Sequence, residues 1–265
     1  MKLFDRKFGR EYLQSVPAEP GVYRFADESG KTIYVGKAKN LRVRLGQYRR
    51  ARGGKARKIV KAAAALSWET LDSDLEACLQ ELRAIQEARP KMNVSGAFSH
   101  RYPLIGLSQN GHELTLCFTT TPEVFPGLRF HGAFRSRTVT VEAFMALVTL
   151  LKFVGHALPF ARDQRKRYSM EFHLRRLPED WPPRIEAFLR GHSNEFLAML
   201  FERLLDSAGA RAKSAEIQEA IDALALFWEH ECLPLAQAIA TVGFETYPVP
   251  QTERDPLFVR ARKEP

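Results

Sequence analysis

The chain has 265 residues, 45% of them hydrophobic, with a formal net charge of +9. That length can bury a core and form two modest domains, no apolar run approaches the roughly 18 residues of a membrane span, and the first eight residues carry no secretory apolar region, so the expectation is a cytoplasmic chain without a membrane partner. Cys78, Cys117 and Cys232 are far apart and form no C-x-x-C pair, which argues against a disulfide framework or a structural zinc site.

In chain order, a short N-terminal helix leads through Val16-Pro17-Ala18-Glu19-Pro20 into two strand-like runs, Gly21-Val22-Tyr23-Arg24-Phe25 and Thr32-Ile33-Tyr34-Val35-Gly36. The polar cluster Asp27-Glu28-Ser29-Gly30 between them makes the pair a β-hairpin. Asn40 is placed to cap a helix over about 41 to 50. Ala51-Arg52-Gly53-Gly54-Lys55 breaks the chain, 56 to 65 reads as helix, and Leu66 to Leu71 reads as a third strand. Ser73 and Glu76 have the spacing of a capping box, opening a helix that runs to Ala88 and stops ahead of Pro90. Residues 1–98 are therefore expected to form a small α+β unit, a three-stranded antiparallel sheet flanked by helices.

Residues 99–155 read as a β-plus-helix extension. Strand-like runs start at Leu104, Glu113 and Leu128, turns fall at Gln109-Asn110-Gly111 and Phe125-Pro126-Gly127, and a helix runs from Val139 to Val154. Residues 156–246 are expected to be mostly helical, with helical periodicity over 184 to 208 and 213 to 240 and a basic run at Arg165-Lys166-Arg167-Tyr168. The Pro-rich, charged stretch 247–265 is expected to be a poorly ordered tail.

The charge is unevenly spread. Twelve Lys or Arg and no Asp or Glu lie between Ser29 and Trp68. A one-sign block of this kind attracts phosphates and releases their counterions, so it points to nucleic acid, the alternative being a solvated basic surface. The residues assigned to DNA contact are Lys39, Arg42, Arg49, Arg50, Arg52, Lys55, Arg57 and Lys58.

Other residues could do chemistry. Arg44 and Tyr48 are four apart on the predicted helix and share a face. Glu81 lies on or beside the apolar stripe of its helix, between Cys78 and Ile85, so its carboxylate must be paired, coordinated or turned to solvent. A salt bridge to Arg44 would answer that need, while Glu76 and Glu87 have simpler placements in the capping box and a solvated last turn. Tyr23 and Tyr34, read alone, are ordinary cross-strand packing residues.

The string from Pro20-Gly21-Val22-Tyr23 through Tyr34-Val35-Gly36-Lys37-Ala38-Lys39-Asn40-Leu41 to Arg44-Leu45 resembles the GIY-YIG nuclease family, in particular the N-terminal domain of the UvrC and Cho excision-repair nucleases. The resemblance implies a metal-dependent DNA endonuclease that makes a single-strand incision, with Tyr23 as general base, alone or with a water on the metal. Tyr34 would orient it, Arg44 would stabilise the phosphate and Glu81 would hold one divalent metal, magnesium or manganese. Tyr48 and Lys37 match further positions of the UvrC-type site, and a phenolate at Tyr23 would be favoured by Lys37, Arg44 and the metal. Pro90-Lys91-Met92-Asn93 matches the family's Pro-Lys-Tyr-Asn, with Met92 replacing the tyrosine. UvrC's cysteine cluster has no counterpart between Phe160 and Trp181, so no iron–sulfur cluster is expected. A UvrB-like loader stays open as a partner beside DNA. Two alternatives also stay open: a nuclease of mobile-element, defence or recombination role, and a non-catalytic DNA-binding adaptor.

Overall fold

A computed structural model describes residues 1–93, 102–158 and 169–262. The chain divides into two units, Met1–Ser99 with Phe258–Pro265, and His100–Leu257. The boundary expected at 98 and the basic run 165–168 lie outside the described residues.

The first unit begins with α1 (Leu3–Phe8) and α2 (Tyr12–Ser15), continues through β1 (Gly21–Ala26), β2 (Thr32–Ala38), α3 (Leu41–Arg50), α4 (Gly54–Ala62) and β3 (Ala65–Thr70), and ends in α5 (Asp74–Ala88). Its antiparallel sheet has the order β2-β1-β3. Asn40 caps α3 by accepting from the Val43 N–H at 3.0 Å. Ser73 caps α5 by accepting from the Glu76 N–H, while the Glu76 carboxylate reaches back to the Asp72 N–H rather than to that of Ser73. The register sets Tyr23 opposite both Gly36 and Trp68, and Phe25 opposite Tyr34 and Leu66. Tyr23 and Phe25 join a core with Phe4, Leu41, Leu45, Tyr48, Ile59 and Val60 from α1, α3 and α4. Val22 and Val35 pack instead with Ala84 and Ile85 of α5. The sheet is thus covered on both faces, as alternation along a strand requires.

Strand β2 is an edge, and its outward backbone groups are covered rather than left bare. The Asn93 amide donates to the Val35 carbonyl and accepts from the Val35 N–H, both at 2.9 Å. One residue earlier, the Met92 N–H donates to the Ile33 carbonyl.

The second unit holds β4 (Leu104–Asn110), β5 (Glu113–Thr119), β6 (Arg129–Gly132), α6 (Arg137–Val154), β7 (His156–Ala157), β8 (Met170–Arg175), α7 (Trp181–Leu189), α8 (Glu195–Asp206), α9 (Ala208–Arg211), α10 (Ser214–Phe227), α11 (Leu233–Val242) and, through Leu257, the first half of α12 (Arg254–Ala261). Its sheet has the order β6-β4-β5-β8-β7. This corrects the expected division at 155: β7 and β8, from the stretch read as helical, complete the sheet of the preceding segment. The cause is long-range pairing, since Phe118, Leu116 and Leu114 face Met170, Phe172 and Leu174 in register. Glu231, buried on a π-helical turn over Trp228–Cys232, caps α6 by accepting from the Arg135 and Ser136 N–H groups.

The expected loose tail is also corrected. Val249 and Leu257 are fully buried and α12 is a regular helix. Hydrogen bonds hold the segment, among them Val249 N–H to the Gly132 carbonyl, Tyr102 O–H to Asp255, and the Gln251 amide to the Thr120 and Tyr102 carbonyls. Proline and charge content marked 247–265 as tail, but burial of its few apolar residues decided otherwise.

Candidate active site

The site is built on two glycines. A Cβ on Gly36 would lie 2.4 Å from the Tyr23 hydroxyl oxygen, so only glycine leaves room for the Tyr23 ring across the strand pair. A Cβ on Gly21 would lie 2.2 Å from the Glu69 carbonyl oxygen and 2.7 Å from Leu41, so glycine lets β1 approach β3 and α3. Tyr23 is fully buried except for what its hydroxyl meets. The Arg44 Nε donates to that oxygen at 3.2 Å, and the Tyr48 hydroxyl lies 3.1 Å away. Arg44 and Tyr48 reach it because they are one turn apart on α3, as the spacing predicts. The Arg44 guanidinium also sits 5.6 Å from the centre of the Tyr48 ring and donates to Gln47, a contact the sequence reading missed. Tyr34 stands beside this group, its ring centre 6.3 Å from that of Tyr23 and 5.1 Å from the Lys55 ammonium.

Burial pushes the Tyr23 phenol above its ordinary value, against the opposing pull of hydrogen bonds to Tyr48 and Arg44. Burial and the neighbouring Tyr23 push Tyr48 up as well. The expectation that Lys37 helps ionise Tyr23 is corrected. Lys37 pairs across from Val22, and its ammonium donates to Asp74 of α5 at 2.7 Å. Its side chain is therefore committed to the α5 face, while Tyr23 faces α3.

Glu81 is half-buried, and its carboxylate accepts from the outward N–H of Lys37 at 3.1 Å. It completes the covering of the β2 edge that Asn93 begins. Its need for a partner is met by this backbone group, not by the salt bridge to Arg44 considered above. Burial raises its pKa above the usual carboxylate range, with the Lys37 N–H, Lys37 and Arg44 acting against the shift and Asp74 adding to it. No group of three or more His, Cys, Asp or Glu side chains suited to a metal occurs among the described residues. A single carboxylate in a half-open setting suits a hard divalent cation that keeps most of its own water ligands, so the donor chemistry of Glu81 fits one such ion.

The basic residues divide. Arg49 is bound through two donors to the buried Asp5, at 2.5 and 3.0 Å, and the Arg42 Nε donates to the Val16 carbonyl at 2.7 Å. Both are structural anchors, Arg49 wholly so. Lys39, Arg50, Arg52, Lys55, Arg57 and Lys58 are exposed. Sequence reasoning missed Asp74, whose signal lay in its i, i+7 spacing from Glu81 on one helix face.

Residues 19–94 match the family model of the UvrC-like GIY-YIG domain. The similarity to the UvrC-like GIY-YIG domain thus covers less than a third of the chain. Among curated proteins it is 36% identical over 138 residues to UvrABC system protein C of Kocuria rhizophila, covering 51% of this chain and 20% of that protein. It is 27% identical over 248 residues to the protein of the same name from Thermobifida fusca, covering 84% of this chain and 37% of that one. The chain thus spans well under half the length of these UvrC relatives. Among solved structures, the GIY-YIG N-terminal endonuclease domain of UvrC from Thermotoga maritima, bound to magnesium as its catalytic divalent cation, is 38% identical. That match covers 32% of this chain and 94% of that domain, with a TM-score of 0.31. The family match takes in Tyr23, Tyr34, Lys37, Arg44, Tyr48, Glu81 and Asn93. It also takes in both motif glycines, whose steric need is set by the strand pairing itself. No helix among the described residues is long and apolar enough to cross a membrane.

Proposed function

We propose that this chain is a metal-dependent DNA endonuclease of nucleotide excision repair, making a single incision by hydrolysis of a phosphodiester bond. The observation that carries the reading is the buried Tyr23 hydroxyl held between Arg44 at 3.2 Å and Tyr48 at 3.1 Å. An oxygen that receives one charged donor and stands beside a second hydroxyl is set to act as a proton acceptor once ionised. Arg44 offers its remaining guanidinium donors to the non-bridging oxygens of the scissile phosphate, where charge builds up in the transition state. Tyr34 walls the site and fixes the tyrosine cluster. Lys37 acts from the α5 face, holding Asp74 and presenting its backbone N–H to Glu81.

Glu81 would hold the divalent cation, with magnesium, named for the Thermotoga maritima domain, as the ion of choice and manganese as its substitute. When bound, that ion polarises a phosphoryl oxygen and supports the leaving oxygen. In hydrolysis a water oxygen bonds to phosphorus as its proton passes to the ionised Tyr23 oxygen, the bond from phosphorus to one ester oxygen breaks, and that departing oxygen takes a proton from solvent. Burial keeps Tyr23 protonated in the DNA-free protein, so ionisation belongs to the loaded state. DNA is the substrate, and a UvrB-like loader is the partner that would direct it to lesions.

The test is nicking of lesion-containing and undamaged duplex in magnesium, with and without a UvrB-like loader. Tyr23→Phe and Glu81→Ala are each expected to lower the nicking rate at least ~10²-fold, with DNA affinity unchanged. Wild-type nicking by either variant would end the site assignment, and nicking indifferent to lesion and loader would end the repair role.

A further inference from the structure

A cleft of about 450 Å³ opens on the first unit where α1, the break after α3 and the start of α4 come together. Cationic side chains from three separate stretches of chain line it: Lys2 and Arg6 at α1, Arg50 and Arg52 at the break, and Arg57 on α4. All five are exposed. None has a hydrogen bond or ion pair within the described residues, and no acidic side chain lines the cleft. Arg49 also borders it but is spent on Asp5. Lys2 and Arg6 both lie more than twenty residues before the one-sign block, so their convergence with it is a product of the fold.

The arrangement is fixed. Phe4 buries α1 in the core, Asp5 ties it to Arg49 of α3, and the Lys7 ammonium donates to the carbonyls of Lys61 and Ala63 at the C-terminal end of α4. Holding five like charges on a rigid frame costs Coulomb energy that a polyanion offsets, with counterion release adding to the gain. Guanidinium groups match phosphate in shape as well as charge. The cleft also has a defined relation to the tyrosine cluster: Tyr48 forms part of its wall, and the Tyr48 hydroxyl is 3.1 Å from that of Tyr23. One tyrosine side chain separates the two places.

We propose that this cleft is a second phosphate subsite, taking backbone phosphates of the DNA strand next to the one held at Arg44. It rests on the endonuclease reading above for the identity of the polyanion. Contacts of this kind set register on the strand and carry no base information. Lys39, Arg42 and Lys58 line no part of the cleft, so the basic surface is not uniform.

The test is fluorescence anisotropy of a labelled DNA duplex bound by the full chain over a salt series in chelator, where no cutting occurs. The chains compared are wild type, Lys2→Gln with Arg6→Gln, Arg52→Gln with Arg57→Gln, and Arg10→Gln as an exposed cation outside the cleft. Each double variant is expected to flatten the slope of log K against log salt by roughly 1.8, about 0.9 per lost phosphate contact. Arg10→Gln is expected to keep the wild-type slope. In magnesium the double variants are expected to nick with raised KM and unchanged kcat, as loss of uniform binding requires. Thermal melts matched to wild type show that folding is intact. Wild-type slopes in both double variants, or equal flattening by Arg10→Gln, overturn the subsite even if the chain nicks DNA. Flattened slopes in the double variants, beside a wild type that never nicks, overturn the nuclease reading and leave the subsite standing.

Discussion

At the scale of single residues, the motif letters are explained by contact. Gly36 is required by Tyr23, whose hydroxyl would meet a Cβ at 2.4 Å, and Tyr23 has no room to withdraw because it is wholly buried. Gly36→Ala is therefore expected to destabilise the first unit by about 1–3 kcal/mol through overpacking and to lose nicking with it. Urea unfolding and the nicking assay check both, and a variant of wild-type stability and rate would refute the contact. Glu81 carries a different tension. Burial raises its pKa above the value of 4.5 it has in the unfolded chain. For an acid shifted this way, the folded state binds the proton more tightly than the unfolded state. The resulting stability is present below the unfolded value and lost as pH rises through the folded one. At neutral pH without a cation, Glu81 is thus a net cost. Glu81→Gln keeps an acceptor for the Lys37 N–H and removes the charge, so it is expected to melt higher than wild type at pH 7 in chelator. The advantage is expected to vanish as pH falls below the carboxylate range, and melts at several pH values measure it.

At the scale of elements, β2 is an edge strand whose outward groups are covered by Asn93 and Glu81, at Val35 and Lys37. Asn93→Ala exposes the N–H and C=O of Val35 and is expected to cost about 1–3 kcal/mol. Hydrogen exchange at the Val35 amide should quicken by a matching factor, and unchanged protection there would show that the amide does not hold the edge. Local signals made this unit legible. The hairpin, the Asn40 cap, the Ser73 cap and the end of α5 at Ala88 all depend on residues within a few positions of one another, and each lies where spacing put it. Non-local choices were not legible. Arg49 looked like a DNA contact because its partner, Asp5, is 44 residues away. Lys37 looked like part of the tyrosine cluster because motif adjacency does not say which face of a strand a side chain takes. In the second unit, β8 has six residues, mostly half-buried, and its strand identity comes only from pairing with β5. The described elements that follow it, from α7 to α12, are all helical.

At the scale of the whole molecule, each unit has its own buried sheet and its own helical cover, so two-state unfolding of the chain as one body is not to be assumed. The proposed cation site lies wholly in the first unit, since Glu81 and the Lys37 N–H that orients it both do. A ligand stabilises only the folded state that binds it, by about 2.7 kcal/mol at a free concentration 100-fold above Kd. The tryptophans allow the units to be watched separately. Trp68 is in the first unit, where it packs edge-on against Tyr12 at 5.3 Å, while Trp181 and Trp228 are in the second. Chains with Trp68→Phe, or with Trp181→Phe and Trp228→Phe together, report one unit each by intrinsic fluorescence. Magnesium is expected to raise the urea midpoint in the chain that keeps Trp68 and to leave the midpoint of the Trp68→Phe chain in place. Adding Glu81→Gln should abolish that rise without removing the transition. A magnesium shift of equal size in both reporters would mean that the units unfold together, and a shift that survives Glu81→Gln would place the cation elsewhere. Because none of these readouts depends on cleavage, they separate binding of the cation from its use.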